Sequence, residues 1–196
     1  GRMLLLRPDA TAQIARTVAM GMMGAQLPLR LAYRTSVFRY EPEHAGRDRE
    51  IFQVGAELIG ADDAKADTEI ISLLIACLKR VGLRSFKVSS GHVGFFKGLL
   101  IRAGLSPDGQ KRAEQAAARK DLPHLQEILQ AERVSKVQAK SILEAPELSG
   151  RAEVLARGRV LAKGDRTLTR ALARLTSVYE ALCRAGHEDA LFLDLG

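Results

Sequence analysis

The chain has 196 residues, 46% of them apolar, and a formal charge of +7 from 30 Lys and Arg against 23 Asp and Glu. That is enough apolar material for one core with room for a subdomain, which excludes a disordered tail. No run of eighteen apolar residues occurs, which excludes a membrane-spanning helix of ordinary hydropathy.

The first residues, GRMLLLRPDATAQ, carry an apolar stretch too short for a signal peptide, so a soluble protein of the cytoplasm is expected, with no membrane partner. Arginine supplies most of the positive charge, and its forked guanidinium suits phosphate or carboxylate; a solvated basic surface explains the same count. Cys77 and Cys183 fall on apolar faces of expected helices far apart in sequence, and His44, His92, His124 and His187 have no metal-ligand spacing. Structural thiols are expected, with no disulfide and no metal site. Tryptophan is absent and the phenylalanines form no paired strips, which argues against a stacking platform for single-stranded nucleic acid.

In chain order, Met3 to Leu6 reads as a short strand, and Pro8-Asp9 opens a helix with Ile14, Val18 and Met22 at four-residue spacing, weakened by Gly21 and ended by Gly24. Leu27 to Tyr33 and Ser36 to Glu41 read as strands. A Pro/Gly-containing loop, Pro42 to Asp48, leads to a longer strand, Arg49 to Ile59, and the arrangement is a hairpin with a roomy connection. Asp62 to Val81 is a helix whose expected buried stripe is Ile70, Ile71, Leu74, Ala76, Leu78 and Val81; Gly82 closes it before a strand from Ser85 to Ser89. From Phe95 to Gly164 short amphipathic helices alternate with breaks at Gly104, Pro107, Pro123 and Pro146 to Gly150. Asp165 to Ala185 is a long helix with Leu168, Leu172, Leu175, Val178 and Leu182 on one face, and Ala190 to Leu195 returns to strand. The strands outside the helical block are expected in one sheet, with the block as an insertion.

Alternation along the hairpin puts Val37, Arg39 and Glu41 on one face, and Arg49, Ile51, Gln53, Gly55 and Glu57 together on the return strand. Phe52, Val54, Ala56 and Leu58 take the opposite face, the expected packed one. The polar set mixes forked donors with acceptors around a glycine gap, where simple wetting would favour lysine, serine and threonine. Gly55 costs packing in mid-strand unless something needs the room, and a ligand is one candidate; an edge hairpin with a solvated face is the other. At Arg7-Pro8-Asp9-Ala10-Thr11, Asp9 serves as an N-cap in the ordinary reading. Were that cluster beside the hairpin, Asp9, Thr11 and Glu57 could surround an ammonium group while Arg39 takes a carboxylate. His92 in SGHVG reads as a turn residue near a helix start, and Arg151, Arg157, Arg159 and Arg166 as a wet helical surface or a partner contact. Met20, Met22 and Met23 read as core filler or as an interface.

The segment FRYEPEHAGRDREIFQVGAELIG resembles motif 2 of class II aminoacyl-tRNA synthetases in its histidyl version. LRPDATAQIAR resembles the segment that holds the histidine amino group there, and ADTEII and ALFLDLG resemble a following helix and a closing strand. RPDAT, EPEHAGRDRE and SSGHVGFFKGLL are more similar to one branch, the histidyl-synthetase-like regulatory subunits of ATP phosphoribosyltransferase. The resemblance implies an α+β fold: an antiparallel class II synthetase-like sheet flanked by helices, with an inserted helical subdomain. Residues 1–94 and 165–196 would form the core and residues 95–164 the insertion.

On the same resemblance, histidine would be held by Asp9, Ala10, Thr11, Arg39, Gln53 and Glu57, with Glu41, Arg47 and Arg49 on the nucleotide side. It implies no catalytic residue, no required cofactor, L-histidine as effector, and ATP adenylation placed in doubt by Pro42-Glu43-His44-Ala45. The implied partner is the short catalytic subunit of ATP phosphoribosyltransferase, in the first step of histidine biosynthesis. Self-association would run through a motif 1 that the chain lacks, and tRNA would not be charged. The sequence lacks the family's motif 3 as well, which suggests a fragment. The rival readings are a histidyl-tRNA synthetase core, with Arg39 stabilising charge during adenylation, and a nucleic-acid-binding module resting on net charge alone.

Overall fold

The computed structural model describes residues 5–22, 24–40 and 48–196. The chain divides into two compact units, Gly1–Ala66 and Asp67–Gly196.

The first unit holds helix α1 (Thr11–Gly21) and strands β1 (Leu29–Phe38) and β2 (Glu50–Ile59). The expected strand at Met3 to Leu6 is not seen at Leu5 and Leu6, which are exposed and irregular; Met3 and Leu4 lie outside the described residues. On α1 the stripe Ile14, Val18 and Met22 is half-buried, but no residue of the helix is fully buried. Met20 is exposed, with its sulfur 3.4 Å from Arg16 Nε, so it is not core filler; Met23 lies outside the described residues. The two strands expected around Arg34 and Thr35 are one continuous strand. β1 pairs antiparallel with β2 along its whole length, from Leu29 opposite Ile59 to Phe38 opposite Glu50. The ladder sets Thr35 opposite Gln53 and Ser36 opposite Phe52, which overrides the turn preference of serine.

Helix α2 (Ala64–Arg80) crosses the division between the units, and its first turn is capped by Asp63, whose Oδ1 accepts from Ala66 N at 2.8 Å. Its stripe differs from the expected one. Ile75 is its buried residue, while Leu74, Ala76 and Val81 are exposed. Cys77 is exposed on the same helix, and both cysteines are free. At Gly82, φ of +91° ends the helix in a conformation that other residues adopt at a cost.

The second unit continues with β3 (Val88–Ser90), α3 (Val93–Arg102), α4 (Pro107–Ala118), α5 (Leu122–Ala131), α6 (Lys136–Glu144), a short β4 (Ser149–Gly150), α7 (Glu153–Leu161), α8 (Arg166–Arg184) and β5 (Leu191–Asp194). Pro107 and Pro123, read as breaks, instead occupy the first turns of α4 and α5, where a missing N–H costs nothing; Ser106 and Asp121 cap those turns. His92 caps α3, its Nδ1 accepting from Gly94 N at 3.1 Å, in line with the turn-residue reading. β5 lies between β3, which it pairs in parallel, and β4, which it pairs antiparallel. The strands therefore form two sheets among the described residues, not the single sheet expected, because β1 and β2 pair as strands only with each other. The fold is nonetheless α+β as expected.

The core of this unit is the seam of α3 and α8. Phe95, Phe96, Leu99 and Leu100 are buried on the first, and Leu168, Leu172, Leu175, Val178 and Leu182 on the second, which is the stripe read from sequence. Gly98 lets the helices approach: a Cβ there would sit 2.6 Å from Leu168 Cδ2. Arg174 on α8 binds Asp67 of α2 at 2.8 Å. Arg151, Arg157, Arg159 and Arg166 are exposed, as the wet-surface reading expects, and Arg157 pairs with Glu144. Among the described residues no helix is long and apolar enough to cross a membrane.

Candidate functional site

The hairpin register decides which side chains can act together. Tyr33 lies opposite Gly55, Thr35 opposite Gln53 and Leu31 opposite Glu57, and Arg39 N donates to Arg49 O at 3.0 Å, so Arg39, Arg49, Gln53 and Glu57 all belong to one face. The sequence reading of that face is correct. Its choice of packed face is not: Phe52 is 59% and Val54 72% exposed, and Ala56 is exposed too, whereas Gln53, Gly55 and Glu57 are half-buried. Apolar composition marks a side as able to pack. It does not say which side the rest of the unit reaches. Arg34 covers part of the open face, its guanidinium 4.9 Å from the Phe52 ring centre.

The face with Glu57 is tied to the start of α1. Thr11 Oγ1 donates to Glu57 Oε1 at 2.7 Å, across 46 positions of sequence. Asp9 does not stand at the N-cap as expected; Ala10, which is buried, does, and the Asp9 carboxylate reaches past it to accept from Ala12 N at 3.3 Å. A short acceptor next to the helix start serves the same free amides from one residue further out.

Arg39 Nε donates to Pro8 O at 3.2 Å, which fixes the guanidinium beside Asp9 in sequence while leaving it exposed. Arg7, which the sequence reading names in the Arg7-to-Thr11 cluster without a role of its own, clasps β1: Phe38 N donates to Arg7 O at 2.8 Å, and Arg7 Nε donates to Ser36 O at 2.7 Å. A basic residue before a proline gives no sequence signal for such a role. Arg49 lies over Tyr40, 5.5 Å from the ring centre. Glu41 and Arg47, the other residues read as nucleotide-side, lie outside the described residues, as do Pro42 to Ala45.

Two details set the chemistry. Gln53 Oε1 is buried and has no hydrogen-bond partner, an acceptor that costs free energy as it stands. The gap left by Gly55 is not open: a Cβ there would lie 2.6 Å from Tyr33 Cε1 and closer still to Cζ and Oη. Tyr33 occupies the room that the sequence offered to a ligand, a fact recoverable only once the register is known. The face thus presents a carboxylate and a buried amide oxygen as acceptors and an exposed guanidinium as donor, groups that a small zwitterion would need.

Comparison with known proteins agrees in family. The histidyl-tRNA synthetase family model matches residues 1–196, the whole chain. A protein of Geobacter metallireducens named ATP phosphoribosyltransferase regulatory subunit is 39% identical over 196 residues, covering 100% of this chain and 45% of its own length. The chain thus spans about half the length of the curated relatives it matches. A crystal structure from Bacillus halodurans, titled ATP phosphoribosyltransferase regulatory subunit/histidyl-tRNA synthetase, superposes with a TM-score of 0.87 at 34% identity, over 96% of this chain and 49% of the other. An ATP phosphoribosyl transferase complex from Thermotoga maritima shares the fold at 14% identity, with a TM-score of 0.70 over 96% of this chain and 64% of the other. With every residue inside the family model and the fold reproduced in a relative of that name, the chain belongs to the histidyl-tRNA synthetase family.

Proposed function

We propose that this chain is the histidine-sensing part of a regulatory subunit of ATP phosphoribosyltransferase, a non-catalytic partner of the short catalytic subunit. The naming of the relatives supports the partner. The observation that carries the ligand is the hairpin face that bears both Gln53 and Glu57, with Glu57 bound by Thr11 of α1 and the Gln53 amide oxygen buried and unpaired. In this reading Asp9, Ala10 and Thr11 form one wall, Glu57 and Gln53 accept from the N–H groups of histidine, and Arg39 takes its carboxylate. Glu41, Arg47 and Arg49 are remnants of a nucleotide side, and no cofactor is required.

Regulation then follows from linkage: histidine changes the activity of the complex only by binding its assembly or conformational states with different affinity. The test is calorimetry of L-histidine, and separately of ATP, against the intact protein, with Glu57→Ala as the variant. Removing a charged hydrogen-bond acceptor weakens binding by about 10- to 100-fold. Histidine inhibition of the reconstituted complex that survives Glu57→Ala would refute the pocket.

A second reading, a synthetase core, is favoured by the family model and by the paired title of the Bacillus halodurans structure. Histidine-dependent exchange of pyrophosphate into ATP by the intact protein would establish it.

A further inference from the structure

Helices α5 and α6 flank a groove of about 590 Å³ on the second unit. Its apolar lining is Leu129 of α5, Val134 of the connecting turn, and Ala139 and Leu143 of α6; Leu129 is buried and the other three are half-buried. The α5 wall adds only neutral amides, Gln126 and Gln130, so the charge of the groove belongs to α6 and the turn after it. There Lys136, Lys140, Glu144 and Glu147 recur at three- and four-residue spacing, the cations at one end and the carboxylates at the other. From Lys136 to Glu147 the helical rise gives roughly 16 Å, about three turns.

This order of charge runs against the helix itself. Lys136 is the first residue of α6 and Glu144 the last, so each sits at the end of the helix dipole that disfavours it. Arg157 binds Glu144 and offsets it. Lys136, Lys140 and Glu147 are exposed and have no ion pair with a described residue, so the fold gains little from their placement. A partner of opposite polarity would gain from it, in register and in choice of sequence. A nucleic-acid backbone does not fit, since Glu144 and Glu147 repel phosphate and the lining is apolar. We propose that the groove docks an amphipathic helix of a partner protein, about three turns long. Apolar side chains at helical spacing seat over Leu129, Val134, Ala139 and Leu143, carboxylates at one end meet Lys136 and Lys140, and a cationic side chain at the other meets Glu147. The inference is independent of the reading of the hairpin face.

The test titrates the intact protein, by fluorescence anisotropy, with labelled peptides held helical by a side-chain bridge, since free peptides of this length are marginally helical. One peptide has leucines at helical spacing, glutamates at one end and lysines at the other; a second has lysines at both ends. The expected result is that the first binds the wild type about tenfold more tightly than the second, as for a few edge charges turned from attraction to repulsion, and that Lys136→Glu with Lys140→Glu reverses the order. A thermal melt checks that this variant folds, and Glu147→Lys, at the other end of the groove, gives a second check by weakening the first peptide. Equal binding of both peptides to the wild type, or an order unchanged in both variants, would overturn the inference, as would binding of neither peptide. Tighter binding of a labelled RNA duplex than of the first peptide, lost in the double variant, would assign the lysines to nucleic acid and overturn it too.

Discussion

The two units are stabilised in different ways. Of the buried apolar side chains among the described residues, only Ala10 and Val37 belong to the first unit; the second contains the rest, centred on α3 and α8. In the first unit, long-range order comes from a ten-residue ladder and from polar bonds such as Thr11 to Glu57 and Arg7 to Ser36. A unit that places its polar groups on a half-buried face, with little core behind them, has side chains available for a ligand. A unit with a deep apolar seam has few to spare.

The largest expected effect lies in that seam. Leu168→Ala removes a fully buried side chain packed against Gly98 and should cost about 3–5 kcal/mol in chemical denaturation. A cost under about 1 kcal/mol would mean that the α3–α8 seam is not the core.

An intermediate effect is expected at Glu132. Ser106 donates to it from its backbone N at 3.0 Å and from Oγ at 2.9 Å, and these bonds, with Arg112 nearby, hold its carboxyl below the usual range. Because the folded value is the lower one, the ionised group favours the fold above the ordinary glutamate range. That contribution is lost as pH falls through the lowered value. Glu132→Gln should therefore lower the melting temperature at pH 7, and the gap from wild type should close in acid; a gap independent of pH would exclude the assignment.

The smallest effect is expected on the open face of the hairpin. Val54→Thr should change stability by less than about 0.5 kcal/mol, since Val54 is 72% exposed. A larger loss in the intact protein would show that this face is covered there.

How much of this was legible in the sequence varied with the kind of signal. Helix α8 was readable to within a residue at each end, because its apolar stripe from Leu168 to Leu182 keeps helical period over about four turns and Asp165 caps it, accepting from Thr167 N and Leu168 N. In α2 the apolar residues crowd several faces, so pattern chose Leu74 while packing chose its neighbour Ile75. Alternation put Arg39, Gln53 and Glu57 on one face correctly, since a strand allows no other arrangement. It could not identify the covered side, nor reveal that Tyr33 fills the space above Gly55, because both depend on what lies opposite. The Arg7 bonds were equally hidden: they involve backbone atoms of β1, which sequence patterns do not report.

Those Arg7 bonds bear on how the hairpin meets other chains. Arg39 hydrogen-bonds inward to Arg49, so by alternation Ser36 O and Phe38 N point away from β2, toward the unpaired side of the ladder. An exposed edge of that kind recruits foreign strands. Here the residue just before Pro8 already occupies both groups, so a second copy could add to this end of β1 only by displacing an intramolecular tether. The hairpin is thereby protected against growing into a larger, intermolecular sheet where it would be most vulnerable.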